Sequence, residues 1–462
     1  MYKRVAGKVR RMNDSINGRI LTATIIIAAL ASLVKIVSMA KEMLIARIFG
    51  AGDALDALYV ALLLPGFLSS IVSSFGSAFV PTYIHIRETE GDLAAERVFS
   101  TVAAFNLAAL LGLSLLLAVT APWLLPLIGS GFGPEKLALT RTLFFISLGL
   151  LLASGLSVLW RAMLNACECF GLTALAPIMN PMIILVAIVA SSGSRRIYAL
   201  ALGTVLGTVG ELGITGYGLW RRGISIIPRW YGLTGPVRQV LGQAAPVAAG
   251  AVLMGSTTLV DQSMAAMLGS GSVAALNYAN KLTLLLLSIG VSSLATAVLP
   301  SFSRLSASQD WAGLRRVLNT YTKLVALVTA PLTVALIIFS EPLIATFFQG
   351  GAFSAQDAHL VARVQSLFFL QLPPYAIGIL YVTAISSLRR NQILMWGTTI
   401  SISVNILLNL LFMRILGLPG IALSTSCVYL VAFLYLRLML MRTLKEHEAT
   451  ETRSICTVVA TA

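Results

Sequence analysis

The chain has 462 residues, 57% of them hydrophobic and only 11% charged, and its mean hydropathy is +0.88. That balance excludes an ordinary soluble domain and a disordered chain, and it makes the apolar stretches membrane spans. The formal net charge of +15 is gathered in short segments between spans. It reads as positive-inside patterning and attraction to anionic membrane lipids, not as nucleic-acid binding.

A basic segment, residues 1–19, carries Lys3, Arg4, Lys8, Arg10 and Arg11 and leads into the first span. Spans of about 20 apolar residues, the length that crosses a bilayer core, then recur along the chain. Twelve are predicted, at 20–48, 55–80, 98–121, 138–163, 172–191, 197–220, 240–268, 273–303, 317–340, 359–387, 392–416 and 418–442. The first is too long for a cleavable signal peptide, so it is expected to target and anchor the chain. Six spans (20–220) precede a basic linker, 221–239. Six more (240–442) follow it, and a polar tail occupies 443–462. Arg221, Arg222, Arg315, Arg316, Arg442 and Lys445 fall on the side of the N-terminus, so both termini are predicted to be cytoplasmic.

The two halves repeat. Ala46–Pro81 aligns without a gap with Ala265–Pro300, pairing Gly50 with Gly269, Gly52 with Gly271, Tyr59 with Tyr278 and Pro81 with Pro300. An even number of spans per half makes the repeat parallel. The predicted fold is therefore an all-α polytopic membrane protein of two six-helix lobes around a cavity, as alternating access requires.

Ionised groups inside spans are expensive and by default face a polar cavity. Lys35 and Lys41 lie in the first span and Lys281 in the eighth, in the run Leu276-Asn277-Tyr278-Ala279-Asn280-Lys281-Leu282. A cationic cavity suggests an anionic, phosphorylated cargo. Lys35, Ser38 and Glu42 share one helical face, whereas Lys41 points well around it. Either the helix bends to aim both lysines at one point or one lysine pairs locally; Lys41 near the outer end also fits a snorkelling role. Glu42 is a candidate partner or proton carrier. Asp56 opens the second span and serves either as a helix-dipole cap or as a gating contact. Asp261 is mid-span, with Lys281 as a candidate partner. Glu211 sits among Gly203, Gly207, Gly210 and Gly213, where it is expected to be buried against a close neighbour. Coupling to H+ or Na+ stays open.

The Cys167-x-Cys169 pair and the scattered His85, His359 and His447 do not make a metal set, so an inert reduced pair and no metal or cofactor are expected. No Walker loop or nucleophile motif occurs, and the chain does not read as an enzyme.

The run Ala46-Arg47-Ile48-Phe49-Gly50-Ala51-Gly52, then Asp56-Ala57, Leu64-Pro65 and Ala78-Phe79-Val80-Pro81, resembles the MurJ/MviN family of lipid II flippases. So do Leu164-Asn165-Ala166, Ala176-Pro177 and Asn180, and, in the second half, Gly269-Ser270-Gly271-Ser272, Leu276–Leu282, Asn405 and Asn409. The resemblance spans about 20–440. It implies the fold of the MOP (MATE-like) exporter superfamily. It also implies export of an undecaprenyl-pyrophosphate-linked glycan, a peptidoglycan precursor, from the inner to the outer leaflet of the bacterial cytoplasmic (inner) membrane. Glycan-synthesis enzymes of the cell envelope are the partners it suggests. Cavity cations of the family, thought to hold the pyrophosphate, fall at Lys35, Lys41 and Lys281. Its acidic residues fall at Glu42 and Asp56.

Two departures stand out. Ser69-Ser70 occupy the place of a common arginine pair, and the chain turns polar after Met441, where well-known members carry two more helices. A flippase for an exopolysaccharide or O-antigen lipid-linked oligosaccharide is therefore the alternative. A cation-coupled multidrug exporter, which would favour acidic and aromatic cavity residues, and a non-transporting scaffold are the further rivals.

Overall fold

A computed structural model describes residues 16–388 and 390–461; of the expected basic segment 1–19, residues 1–15 lie outside the described residues. Among the described residues every regular element is a helix, apart from one Gly350–Phe353 bridge. In hydrocarbon each backbone N–H and C=O needs an internal partner, and a helix supplies it within one segment.

The first half comprises α1 (Ile16–Phe49), α2 (Asp53–Glu90), α3 (Asp92–Ile128), α4 (Pro134–Ala166), α5 (Phe170–Leu175), α6 (Met179–Val189) and α7 (Arg195–Arg221). The second comprises α8 (Gly235–Ala266), α9 (Ser272–Ala307), α10 (Trp311–Ile338), α11 (Ser340–Phe348), α12 (Ala355–Phe369), α13 (Leu372–Ser387), α14 (Asn391–Leu416) and α15 (Leu418–Thr461).

All twelve predicted spans fall on helical segments, and nine helical stretches among the described residues are long and apolar enough to cross a membrane. The remaining three predicted spans lie in α1, α8 and α9, the helices that hold Lys35, Lys41, Asp261 and Lys281.

Two spans are broken where the sequence reads as continuous. The fifth is α5 and α6 joined by a 3-10 turn at Ala176–Ile178, with Pro177 in that turn. The tenth divides into α12 and α13 because Pro373 and Pro374 lack the N–H groups that would continue α12. α11 is a short helix that the sequence reading did not separate.

The chain forms two compact units: residues 1–48 with 57–255, and 49–56 with 256–462. The loop between α1 and α2 thus belongs to the second unit, and the chain passes from one unit to the other within α8. In the first unit Phe79 stacks near Tyr83 and Phe99 at centroid distances of 5.4 and 5.8 Å, tying α2 to α3. Gly207 lets α7 approach α6, since a Cβ there would lie 2.6 Å from the Asn180 Cα; the Gly203-x-x-x-Gly207 spacing is a packing device. In the second unit Tyr278 packs against Phe348 and Phe353, at 5.3 and 5.4 Å.

One glycine of each pair in the repeat has a steric reason. Gly50, at φ 60°, lies against the Ala352 carbonyl, and Gly271, at φ 78°, against the Ala51 carbonyl. A side chain at either would collide with backbone in a conformation that L residues disfavour.

Candidate functional site

Lys35 and Lys41 differ in their surroundings. Lys35 is exposed on α1, whereas Lys41 is half-buried and its Nζ lies 2.8 Å from Glu42 Oε1. Of the arrangements left open by the sequence, local pairing is the one found for Lys41. Its charge is offset by the adjacent carboxylate, which leaves Lys35 as the more exposed cation of the two.

Asp56 is fully buried and caps a helix other than its own. Its Oδ1 accepts from Ala274 N at 2.8 Å and its Oδ2 from Gly271 N at 2.7 Å. Gly271 is the N-cap of α9 and Ala274 its third residue, so one carboxylate supplies both halves of a capping box. Glycine has no side chain to cap its own helix, and the first turn of α2 provides one. The repeat places Ala275 where Asp56 stands, so the device is one-sided.

An Asp56→Ala variant is expected to leave both N–H groups buried without an acceptor, costing about 1–3 kcal/mol apiece. Its apparent melting temperature in detergent should fall by several degrees, and Asp56→Asn, which keeps one acceptor, should fall by less. An unchanged Asp56→Ala melt would show that water replaces the cap.

Asp261 does not pair with Lys281. Its Oδ1 accepts from Asn405 Nδ2 at 3.0 Å and Asn409 Nδ2 at 2.7 Å, and its Oδ2 from the Thr425 hydroxyl at 3.0 Å. These three neutral donors come from α14 and α15, and all but Thr425 are buried. The candidate pairing is not the one found: two asparagines one turn apart on α14 and the Thr425 hydroxyl satisfy the carboxylate instead. Asn409 Oδ1 is buried with no hydrogen-bond partner, so an unused oxygen lies within this cluster. One carboxylate, an amide oxygen and a hydroxyl make a hard-oxygen set whose single negative charge matches a proton or a monovalent cation.

Lys281 is half-buried on α9, its Nζ 5.3 Å from the centroid of the Tyr278 ring. One turn earlier, Asn277 Oδ1 accepts from Gln262 Nε2 at 3.4 Å.

In the first unit Glu211 is buried, as expected. Its neighbour is cationic: Arg161 Nη1 lies 3.0 Å from Glu211 Oε1, and the Ser157 hydroxyl donates to the same oxygen at 3.1 Å. Arg161 was missed in the sequence because it sits at the edge of the fourth span, among residues counted as cytoplasmic. Ser69 bonds Ser154 across to α4 at 2.7 Å, and the Ser70 hydroxyl donates to the Phe67 carbonyl.

A chain of membrane-spanning helices in two units, with carboxylates and lysines held inside spans, has the fold of a MOP-superfamily exporter. It matches a solved lipid II flippase MurJ in an inward closed conformation at a TM-score of 0.77, with 23% identity over 95% of this chain and 93% of that one. An inward-facing multidrug resistance MATE transporter of the MOP superfamily matches at 0.76, with 15% identity over 92% and 99%.

The sequence narrows this further. The pattern of the lipid II flippase MurJ family matches residues 45–462, and the chain belongs to that family. A lipid II flippase MurJ of Burkholderia cenocepacia is 29% identical over 87% of this chain and 80% of its own length. A probable lipid II flippase MurJ of Rhizobium tropici is 26% identical over 85% and 75%.

Proposed function

We propose that the chain is a lipid II flippase of the bacterial cytoplasmic membrane, carrying an undecaprenyl-pyrophosphate-linked glycan from the inner to the outer leaflet by alternating access. The observation that carries this reading is the family match, which covers the membrane domain from residue 45 onward. Both termini are taken as cytoplasmic, from the distribution of basic residues. Lys35, Lys41 and Lys281 are the cations assigned to the pyrophosphate. Lysine serves as a point charge there, without the two-pronged fork of arginine. Asp261 is assigned to coupling, since its oxygen cluster suits a proton or Na+. Asp56 is assigned to a structural cap and Glu42 to tuning the charge of Lys41.

One observation favours a second reading. Ser69 and Ser70 are spent on hydroxyl bonds where family members commonly carry arginines, so fewer cations meet the cargo. A dedicated exopolysaccharide or O-antigen precursor, carried by the same chemistry, fits that loss.

Complementation separates the two readings. In a bacterium conditionally depleted of its own lipid II flippase, this chain is expected to restore growth. Lysis despite normal expression and insertion would move the assignment to the oligosaccharide precursor.

A further inference from the structure

We propose that the first unit binds an anionic phospholipid, with an acyl chain in a pocket on α7 and the headgroup on the arginines that follow it. This rests on the chain spanning a membrane and not on the identity of the cargo.

The end of α7 reads Gly213-Ile214-Thr215-Gly216-Tyr217-Gly218-Leu219-Trp220-Arg221. Gly216 has a steric reason, because a Cβ there would lie 2.6 Å from the Trp160 ring of α4. Gly213 has none, because a Cβ there would meet nothing within 4 Å. The missing side chains leave an open apolar depression of about 380 Å³ lined by Trp160, Leu212, Gly213, Gly216, Tyr217, Trp220 and Ile226. An open apolar furrow of that size suits one acyl chain lying along the helix.

The segment after α7 is held in place. Its Arg229 N donates to Ser100 Oγ at 2.7 Å and its Tyr231 N to Thr101 Oγ1 at 3.3 Å, while Arg97 lies 5.9 Å from the Tyr231 ring centroid. Fixed in this way along α3, it still presents Ile227, Trp230 and Tyr231 outward, beside the exposed Tyr217 and Trp220. Exposed aromatics at the end of a spanning helix mark the lipid headgroup level.

Charge selects the occupant. Arg221, Arg222 and Arg229 are exposed, and no Asp or Glu occurs between Glu211 and Asp261. Arg221 directly follows the pocket-lining Trp220, and Arg222 donates to the Cys167 carbonyl at 2.5 Å. Guanidinium groups next to an apolar pocket at headgroup depth match a phosphate with its acyl chain below, and the excess of basic residues in this segment favours an anionic lipid over a zwitterionic one.

Tryptophan quenching tests the site. The full chain, with Trp123, Trp311 and Trp396 changed to Phe, is reconstituted into phosphatidylcholine vesicles containing phosphatidylglycerol brominated on its acyl chains. Saturable quenching at low phosphatidylglycerol content is expected. Gly213→Leu, whose side chain enters open space and improves helix propensity, should remove that saturable phase without unfolding the protein. Arg221→Gln with Arg229→Gln should weaken the preference for phosphatidylglycerol by roughly fivefold per arginine. Equal quenching by brominated phosphatidylcholine, or quenching unchanged in Gly213→Leu, would overturn the site. Displacement by undecaprenyl phosphate at lower content than phosphatidylglycerol would overturn it in favour of the cargo's own tail.

Discussion

Replacing Lys281 with Met is expected to abolish rescue of a flippase-depleted strain while the variant accumulates and inserts as the wild type does. Met keeps an unbranched side chain of similar length and removes the ammonium, including its approach to the Tyr278 ring. A hydrogen bond to a charged group contributes about 1.5–3 kcal/mol, so a lost phosphate contact weakens cargo binding by roughly ten- to a hundredfold. Lys281→Arg keeps the cation and should retain rescue, which separates charge from packing. Binding of lipid II to the purified variants gives the same comparison without growth as the readout. Full rescue by Lys281→Met would remove this residue from the cargo site.

Asp261→Asn is expected to uncouple transport from its ion. The substitution keeps shape and leaves Asn405, Asn409 and Thr425 in place, so the protein should remain folded. What disappears is the negative charge, which three neutral donors solvate but do not neutralise. A buried carboxylate without a countercharge is costly, and a bound proton or Na+ relieves that cost. In proteoliposomes the wild type should flip faster under an imposed pH or Na+ gradient, and Asp261→Asn should be indifferent to both. Sodium should also raise the melting temperature of the wild type alone if Na+ is the ion, because a ligand bound only by the native state stabilises it by mass action. A gradient response that survives in Asp261→Asn would place coupling elsewhere.

The sequence reveals most of the fold because the membrane requires it. Twelve apolar stretches of sufficient length had to be helices, and the glycine pairs Gly50/Gly269 and Gly52/Gly271 exposed the repeat. Breaks within spans were less visible. Pro373-Pro374 marks one, but proline inside a span is often tolerated, as Pro65 and Pro81 are within α2.

The site was legible as a set of residues and not as a set of partners. Lys41 and Glu42 are adjacent, so local pairing was among the options. The partners of Asp261 were hidden because neutral amides carry no charge signal. The i, i+4 spacing of Asn405 and Asn409 was the available clue, since it puts both on one helical face. Asp56 is harder still. Its position in the first turn of α2 suggests a cap for that helix, and nothing local points to a helix start in the other half of the chain.

That distance matters for biogenesis. The carboxylate of Asp56 leaves the ribosome 215 residues before the Gly271 amide that it serves. At roughly 5–20 residues per second, the first turn of α2 must keep its carboxylate waiting for on the order of ten to forty seconds before the helix it caps arrives. Until then that end of α2 has to stay hydrated. The nascent first half is therefore a species that water, or an insertion factor, must shelter until α9 has been made.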